Sequence, residues 1–189
     1  HAGEIRAKPR FAAEFHNGAL RCDCDLGLGQ AVAMRAVREA IARARETAAV
    51  VCLIRNCGHL DAIGPYALEA AEQGMIALLC KETPPLMTLA GGTKPAIGNN
   101  PIAFAAPVAG KAPLMFDMAT SVTSRMRVRK AARDKTPIPD DWAIGPDGAP
   151  TSDPATALAG ALSPIAGHKG IGLAMLTQCL AGSLVDAPT

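Results

Sequence analysis

The chain has 189 residues, of which 49% are hydrophobic and only 3% aromatic, and its formal net charge is +2. Length and composition predict one compact α/β domain with a core of small aliphatic side chains. The small, mixed charge argues against a nucleic-acid-binding face or a polybasic membrane patch, and no apolar run is long enough to span a bilayer.

The first part of the chain predicts alternating strands and helices. The predicted elements are an irregular entry (residues 1–15), a turn (16–18), a strand (19–25), a helix (29–47), a strand covered on both faces (48–54), a helix (64–73) and a strand (75–80). The helix 29–47 is assigned from apolar residues at three- and four-residue spacings, with Ala31, Met34, Val37, Ile41 and Ala42 on the inner face. This order predicts a layered α/β domain with partly parallel strands.

The loop between residues 54 and 64 is the first candidate site. It contains His59 and Asp61 and runs from a strand end to a helix start, where free backbone N–H groups can bind an anion. A histidine in a loop more often forms local hydrogen bonds than performs catalysis. A structural and a functional role for His59 therefore stay equally open.

Glycine and proline punctuate the segment 91–121 more densely than any other part of the chain. Two apolar runs, Ile102 to Ala106 and Leu114 to Phe116, predict buried strands. Asn99 and Asn100 precede the first run, and Asp117 follows the second. Polar residues at strand ends are typical of binding sites in α/β proteins, although a simple hairpin explains the pattern equally well.

The last part of the chain predicts a cationic helix over residues 121–134 and an ordered connection over 135–154 in which Trp142 packs inward. A glycine-rich turn, residues 167–172, then carries Lys169 into an apolar helix. Such a turn suits a phosphate. It lacks the spacing of a P-loop, and no GxGxxG turn supports the common dinucleotide-binding fold.

Four of the six cysteines lie in apolar or alternating runs and favour core positions in a reducing compartment. The chain shows no signal-peptide layout, so we expect a cytoplasmic protein. Cys52, Cys57 and His59 do not have the spacing of a zinc site, so no metal is predicted. The start at His1 and the end at Thr189 suggest part of a longer polypeptide.

Several motifs together resemble the type 2 malate/L-lactate dehydrogenase family, whose members reduce 2-oxo acids or cyclic imino acids with a nicotinamide cofactor. The motifs, in order over nearly the whole chain, are Arg55-Asn56-Cys57-Gly58-His59, Gly98-Asn99-Asn100-Pro101-Ile102-Ala103, Phe116-Asp117-Met118-Ala119-Thr120-Ser121, Ile138-Pro139 with Trp142, Asp147-Gly148 with Thr151, Asp153 and Pro154, and Gly167-His168-Lys169-Gly170. The resemblance implies a non-Rossmann layered α/β fold with a mixed sheet, and a homodimer.

The resemblance also implies site residues for NAD or NADP and for a small-molecule substrate. The cofactor residues would be His59, Leu60, Asp61, Ala62 and Ile63, then Asp117, Met118 and Ala119, with His168 and Lys169 on a phosphate. Asn99 would bind the substrate, at a position where relatives usually have Thr in a Gly-Thr-Asn-Pro run. Arg127 would also face the substrate, and its positive charge favours 2-oxo acids over the cyclic imino acids that remain the alternative.

Relatives carry a Ser-His-Gly motif whose His supplies the proton, and that motif is not found in these residues. We therefore assign no catalytic residue, and His1, His16, His59 and His168 have no assigned role as proton donor. The expectation is an incomplete NAD(P)-binding oxidoreductase domain over residues 1–189 that is inactive by itself. A non-catalytic remnant or binding module is the other hypothesis.

Overall fold

The computed structural model describes residues 5–185, and these form two compact units. Unit 1 comprises residues 5–79, 103–117 and 181–185, and unit 2 comprises residues 80–102 and 118–180. His1 therefore lies outside the described residues. Among the described residues no helix is both long and apolar enough to cross a membrane. The treatment of residues 1–189 as one incomplete domain stays a prediction.

Strands and helices alternate in part of the chain, and a run of five strands lies in its middle. The elements are β1 (Ala12–His16), β2 (Ala19–Asp23), α1 (Gly29–Thr47), β3 (Val51–Arg55), α2 (Gly64–Glu72), β4 (Ala77–Cys80), β5 (Pro85–Met87), β6 (Ile97–Gly98), β7 (Ile102–Val108), β8 (Lys111–Met118), α3 (Arg125–Asp134), β9 (Ala143–Ile144), α4 (Pro154–Ala159), β10 (Ala161–Leu162), α5 (His168–Ala181) and a 3-10 turn, Ser183–Val185.

The first sheet of unit 1 has the order β1-β2-β3 and is mixed, as predicted. β1 and β2 are antiparallel and joined by Asn17 and Gly18, whose φ angles of 49° and 79° suit a tight hairpin turn. β2 and β3 are parallel, with Leu20 opposite Cys52. The prediction of an irregular entry is therefore wrong for the residues of β1. The polar residues of this edge strand hide its pattern, and only its pairing with β2 identifies it.

The helix α1 has the predicted bounds, but its buried face is displaced. Ile41 is buried as predicted and Met34 and Val37 are half-buried, but Ala31 and Ala42 are exposed. The unpredicted residues Val32, Ala33 and Ala36 are buried instead. The displacement has a packing cause, because Ala33 belongs to the core cluster around α2 and Ala36 to a second cluster over the first sheet.

The second sheet of unit 1 has the order β4-β7-β8 and is covered on one face. Ala77, Leu79 and Ala105 pack towards α2, whereas Leu78 is 65% exposed. Val51 in β3 is likewise 59% exposed. The prediction that strand 48–54 is covered on both faces is therefore wrong, since an unbroken apolar run does not reveal which face a helix covers.

Unit 2 has a four-stranded sheet with the order β6-β5-β10-β9, in which β10 is parallel to β5 and antiparallel to β9. Its core combines strand and helix residues: Met87, Ile97, Val128, Ile138, Ala143, Ala157, Leu162 and Ala174. Trp142 packs against this core, so the ordered connection is confirmed. The cationic helix begins later than predicted, because the Ser124 hydroxyl accepts a hydrogen bond from the Arg127 N–H and caps α3.

The six cysteines are free thiols, and their environments differ. Cys22 and Cys24 are buried as predicted, whereas Cys179 is exposed on α5. A hydrogen bond to Cys57, together with burial, raises the pKa of the Cys24 thiol. A hydrogen bond to Cys22, again with burial, raises the pKa of the Cys52 thiol.

We expect iodoacetamide at neutral pH to label Cys179 first and Cys24 and Cys52 last, because a buried thiol with a raised pKa supplies little thiolate. Mass spectrometry of timed samples measures the order. Labelling in concentrated urea is the control and should remove the differences. Labelling of Cys24 at the rate of Cys179 in the folded chain would contradict the described environment.

Candidate functional site

The loop that carries His59 lies in unit 1 and is fastened where it leaves β3. Asn56 has a φ of 51°, and its Nδ2 donates to both carboxylate oxygens of Asp23 at 3.0 and 3.1 Å. This hydrogen bond is the main cause that lowers the pKa of Asp23. The carbonyl of Asn56 accepts the Leu26 N–H at 2.8 Å. The loop therefore starts from a defined backbone position.

The same loop rests on the first turn of α1. The backbone of Gly58 and His59 lies so close to Gly29 that a Cβ on Gly29 would overlap the His59 carbonyl. Gln30, the next residue of α1, donates from Nε2 to Asp61 Oδ2 at 2.9 Å. Glycine is therefore required at position 29 for the loop to approach α1 this closely.

His59 and Asp61 form an exposed polar pair. His59 Nε2 lies 2.8 Å from Asp61 Oδ1, and their side chains are 73% and 69% exposed. This close contact favours a local role for His59, and a functional role stays a prediction. The pair offers a carboxylate and an imidazole to a ligand in solvent.

The five predicted loop residues do not share one environment. Ala62 is exposed with His59 and Asp61, whereas Leu60 packs against the core and Ile63 is only 1% exposed. The side chain of Ile63 is buried, so the assignment of Ile63 to the cofactor stays a prediction that concerns its backbone. The alternation arises because the loop must bury apolar side chains before α2 begins.

Asp117, at the end of β8, binds the start of α2. Its Oδ2 accepts the N–H of Ile63 at 2.7 Å and the N–H of Gly64 at 2.7 Å. Pro65 has no N–H, and the Tyr66 N–H bonds to the Ile63 carbonyl. The expectation of free N–H groups at this helix start is therefore wrong, because a side chain distant in sequence uses them.

The candidate substrate residue Asn99 lies in unit 2 beside a buried amide network. Asn100 is fully buried; its Oδ1 accepts the Thr83 N–H at 2.9 Å, and its Nδ2 donates to the Ala174 carbonyl at 3.0 Å and to Gln178 Oε1 at 2.9 Å. Asn99 is half-buried, and its Oδ1 accepts the Thr83 hydroxyl at 2.9 Å. Sequence patterns indicated Asn100 but gave no signal for Thr83 or Gln178, which are distant along the chain.

Backbone hydrogen bonds connect Asn99 to the glycine-rich turn. The Asn99 carbonyl accepts the Thr120 N–H at 3.0 Å, and the Thr120 carbonyl accepts the Ile165 N–H at 2.9 Å. Gly170 packs against the same Thr120 carbonyl, which a Cβ would approach to 2.7 Å. Unit 2 thus brings Asn99 and the turn together, and the half-buried Met118 and Ala119 lead into Thr120.

His168 and Lys169 are exposed at the start of α5. The N–H groups of Lys169, Gly170 and Ile171 all bond to carbonyls within the turn, Lys169 at 3.3 Å to Ala166 and Gly170 at 2.9 Å to Ile165. These three N–H groups are therefore used within the protein, and the exposed side chains of His168 and Lys169 are groups that can meet a phosphate.

Arg127 stands apart from the Asn99 network. It is exposed on α3, and within residues 5–185 its side chain has no hydrogen-bonding or ion-pair partner. The same part of the chain holds no group of three or more His, Cys, Asp or Glu side chains that could bind a metal ion.

We expect Gly64→Ala to destabilise the protein by about 1–3 kcal/mol. A Cβ at position 64 would lie 2.9 Å from Met115 Sδ and 3.1 Å from Asp117 Cβ, which displaces the Asp117 carboxylate. Urea unfolding measures the change. Gly172→Ala is the control, because a Cβ there meets no atom within 4 Å and alanine favours the helix. Equal stability of the two variants would contradict the described contact.

We expect Asn100→Asp to lower the free energy of unfolding by about 3–5 kcal/mol, because a buried carboxylate would face the Ala174 carbonyl and the Gln178 side-chain oxygen. Asn99→Asp is the matched control. It keeps an acceptor for the Thr83 hydroxyl at a half-buried position, so its cost should stay within about 1 kcal/mol. Similar losses in both variants would disprove the special role of Asn100.

The family model described as malate/L-lactate dehydrogenase matches residues 1–189. A Δ1-pyrroline-2-carboxylate reductase of Ancylobacter novellus is 40% identical, over 88% of this chain and 49% of that protein. A (2R)-3-sulfolactate dehydrogenase (NADP+) of Chromohalobacter salexigens is 34% identical, over 98% of this chain and 56% of that protein.

The crystal structure of a Δ1-piperideine-2-carboxylate reductase from Pseudomonas syringae superimposes with a TM-score of 0.91 at 34% identity, covering 97% of this chain and 56% of that chain. The chain spans about half the length of the curated relatives it matches. These matches confirm the resemblance seen in the motifs, and the chain belongs to the type 2 malate/L-lactate dehydrogenase family.

Proposed function

We propose that the protein is an oxidoreductase that transfers a hydride between NAD(P)H and a small 2-oxo acid or 2-hydroxy acid. The observation that carries this proposal is the family match over residues 1–189, together with the sulfolactate dehydrogenase among the relatives. The half-buried Asn99 supports it. A side-chain amide held at a strand end can hydrogen-bond to a substrate carboxylate or carbonyl.

For the cofactor, NAD or NADP, we propose contacts from residues that the family resemblance implies. In unit 1 these are the exposed His59, Asp61 and Ala62. In unit 2 we propose Met118 and Ala119 beside the nicotinamide or ribose, and His168 with Lys169 on a phosphate, because their side chains are exposed at the start of α5. The bound cofactor would supply the hydride.

The reaction needs a proton as well as the hydride. A hydride added at C2 of a 2-oxo acid places negative charge on the carbonyl oxygen, and a general acid within hydrogen-bonding reach must neutralise it. We assign that acid to none of these residues. His59 Nε2 lies 2.8 Å from Asp61 Oδ1, and the Ser-His-Gly motif of relatives does not occur in these 189 residues.

Substrate choice is the point on which two candidates differ. Arg127 favours 2-oxo acids on the family resemblance, since imino acid reductases of the family can carry an acidic residue at this place and 2-oxo acid reductases more often a basic one. The second candidate is reduction of a cyclic imino acid, and the reason to keep it is the relative of that name at 40% identity. A non-catalytic remnant or binding module is the outcome if neither substrate is turned over.

We also propose a cytoplasmic homodimer. Six free cysteines suit a reducing compartment. The proposal of a homodimer rests on the family resemblance, and gel filtration with light scattering tests it.

The first experiment measures loss of NADH or NADPH absorbance by the full-length gene product with pyruvate, oxaloacetate and a cyclic imino acid. We expect turnover with a 2-oxo acid. Arg127→Ala should then lower kcat/KM for that acid by about tenfold or more, because a charge-assisted contact is lost. Arg129→Ala, an exposed arginine of the same helix, is the matched control and should leave kcat/KM unchanged.

Turnover of the imino acid alone would keep the dehydrogenase family but overturn the preference assigned to Arg127. No binding and no turnover of either cofactor would overturn the proposed function and favour the non-catalytic module.

A further inference from the structure

The start of α2 is occupied by a carboxylate of the protein itself, that of Asp117. A helix N-terminus attracts negative charge through its unpaired N–H groups and its dipole. In α2 the carboxylate of Asp117 meets both available donors, the N–H groups of Ile63 and Gly64, each at 2.7 Å from Oδ2. The end of β8 and the start of α2 are thereby joined through one oxygen atom.

Asp117 can approach the start of α2 because the residue at position 64 is glycine. Because position 64 is glycine, no Cβ stands between the helix backbone and Asp117 Cβ or Met115 Sδ, which lie 3.1 and 2.9 Å from where that atom would be. Ile63, the other donor, is anchored in the core at 1% exposure. The carboxylate of Asp117, although its residue is exposed, is therefore held in a fitted position by two backbone donors.

The contact of Asp117 with Ile63 and Gly64 fixes the end of the His59 loop that enters α2, and α1 fixes the other end. At the far end, Gly29 abuts the Gly58–His59 backbone. In the middle, Gln30 holds Asp61. His59 and Ala62 lie between these points of attachment, so their positions depend on all of them.

We infer that Asp117 is a positioning residue, which holds the His59 loop in place and closes the start of α2 to cofactor phosphates, so that this loop receives an uncharged part of the cofactor. The inference rests on the proposed function for the cofactor, but the closure of the helix start does not. A second anion would find no free N–H group at Ile63 to Tyr66 and would face the charge of Asp117. A nicotinamide amide or a ribose hydroxyl carries no charge and meets no such repulsion.

The closure is tested on the 189-residue chain by NMR, with inorganic phosphate as the probe. In the native chain we expect the amide signals of Ile63 and Gly64 to be insensitive to phosphate. In Asp117→Ala these signals should shift on phosphate addition, because two donors become free, and the signals of His59 and Leu60 should move even without phosphate. Asp117→Asn keeps an acceptor and should give smaller shifts, and it serves as the second variant if the alanine variant does not fold.

Asp153→Ala is the matched control. Asp153 caps α4 by accepting the N–H groups of Ala155 and Thr156, so its loss also removes a helix cap but in unit 2. Its substitution should leave the amide signals of residues 59–64 unchanged. Native Ile63 and Gly64 signals that already respond to phosphate would overturn the closure. His59 signals unmoved in both Asp117 variants would overturn the positioning role.

The link to the cofactor is tested on the full-length gene product. We expect Asp117→Ala to lower kcat/KM by about tenfold or more through misplacement of the loop, with partial recovery in Asp117→Asn and no change in Asp153→Ala. An unchanged KM and kcat in Asp117→Ala, with the NMR shifts present, would overturn only the cofactor part of the inference. If the native protein neither binds nor oxidises the cofactor, the proposed function fails, and the NMR result still decides the closure.

Discussion

The hydrogen bonds from two successive N–H groups to one oxygen of Asp117 govern the candidate site of unit 1. They join the end of β8 to the start of α2, and the loop before α2 depends on that junction. A carboxylate suits this place because it accepts from both donors and complements the helix dipole. The glycine at position 64 allows the approach. Without the carboxylate, the two buried N–H groups would lose their partners, and the end of the His59 loop would lose its attachment.

The same physical rule shapes unit 2, where the constraint is a neutral amide. Asn100 is fully buried and uses both its acceptor and its donors, so it joins its own segment to two others that are distant along the chain, at Thr83 and at Ala174 and Gln178 of α5. Burial makes such a network specific, because a wrong group would leave a polar atom unpaired. Asn99 shares Thr83 with it and stays half-buried. The candidate substrate residue therefore stands on a rigid support.

In both candidate sites, backbone N–H groups bond within the protein and side chains face solvent. The bonded N–H groups are those of Ile63 and Gly64 at α2, and those of Lys169, Gly170 and Ile171 at the glycine-rich turn before α5. Exposed side chains remain for a ligand, namely His59 and Asp61 in unit 1 and His168 and Lys169 in unit 2. Any phosphate bound at these places would be met by side-chain charge and not by a preformed nest of backbone donors.

The sequence by itself determined the class of fold, the bounds of α1 and the family, because periodic apolar spacing and consecutive motifs are local properties of the chain. It also placed candidate residues at strand ends. It did not determine the edge strand β1, the face of α1 that is buried, the one-sided cover of β4 or the use of the α2 N–H groups. Each of these depends on contacts outside the segment itself: pairing with β2 for β1, two separate core clusters for α1, packing on one face only for β4, and Asp117 for α2. Only the tertiary structure decided them, because a hydrogen bond or a packed surface requires both partners to be in place.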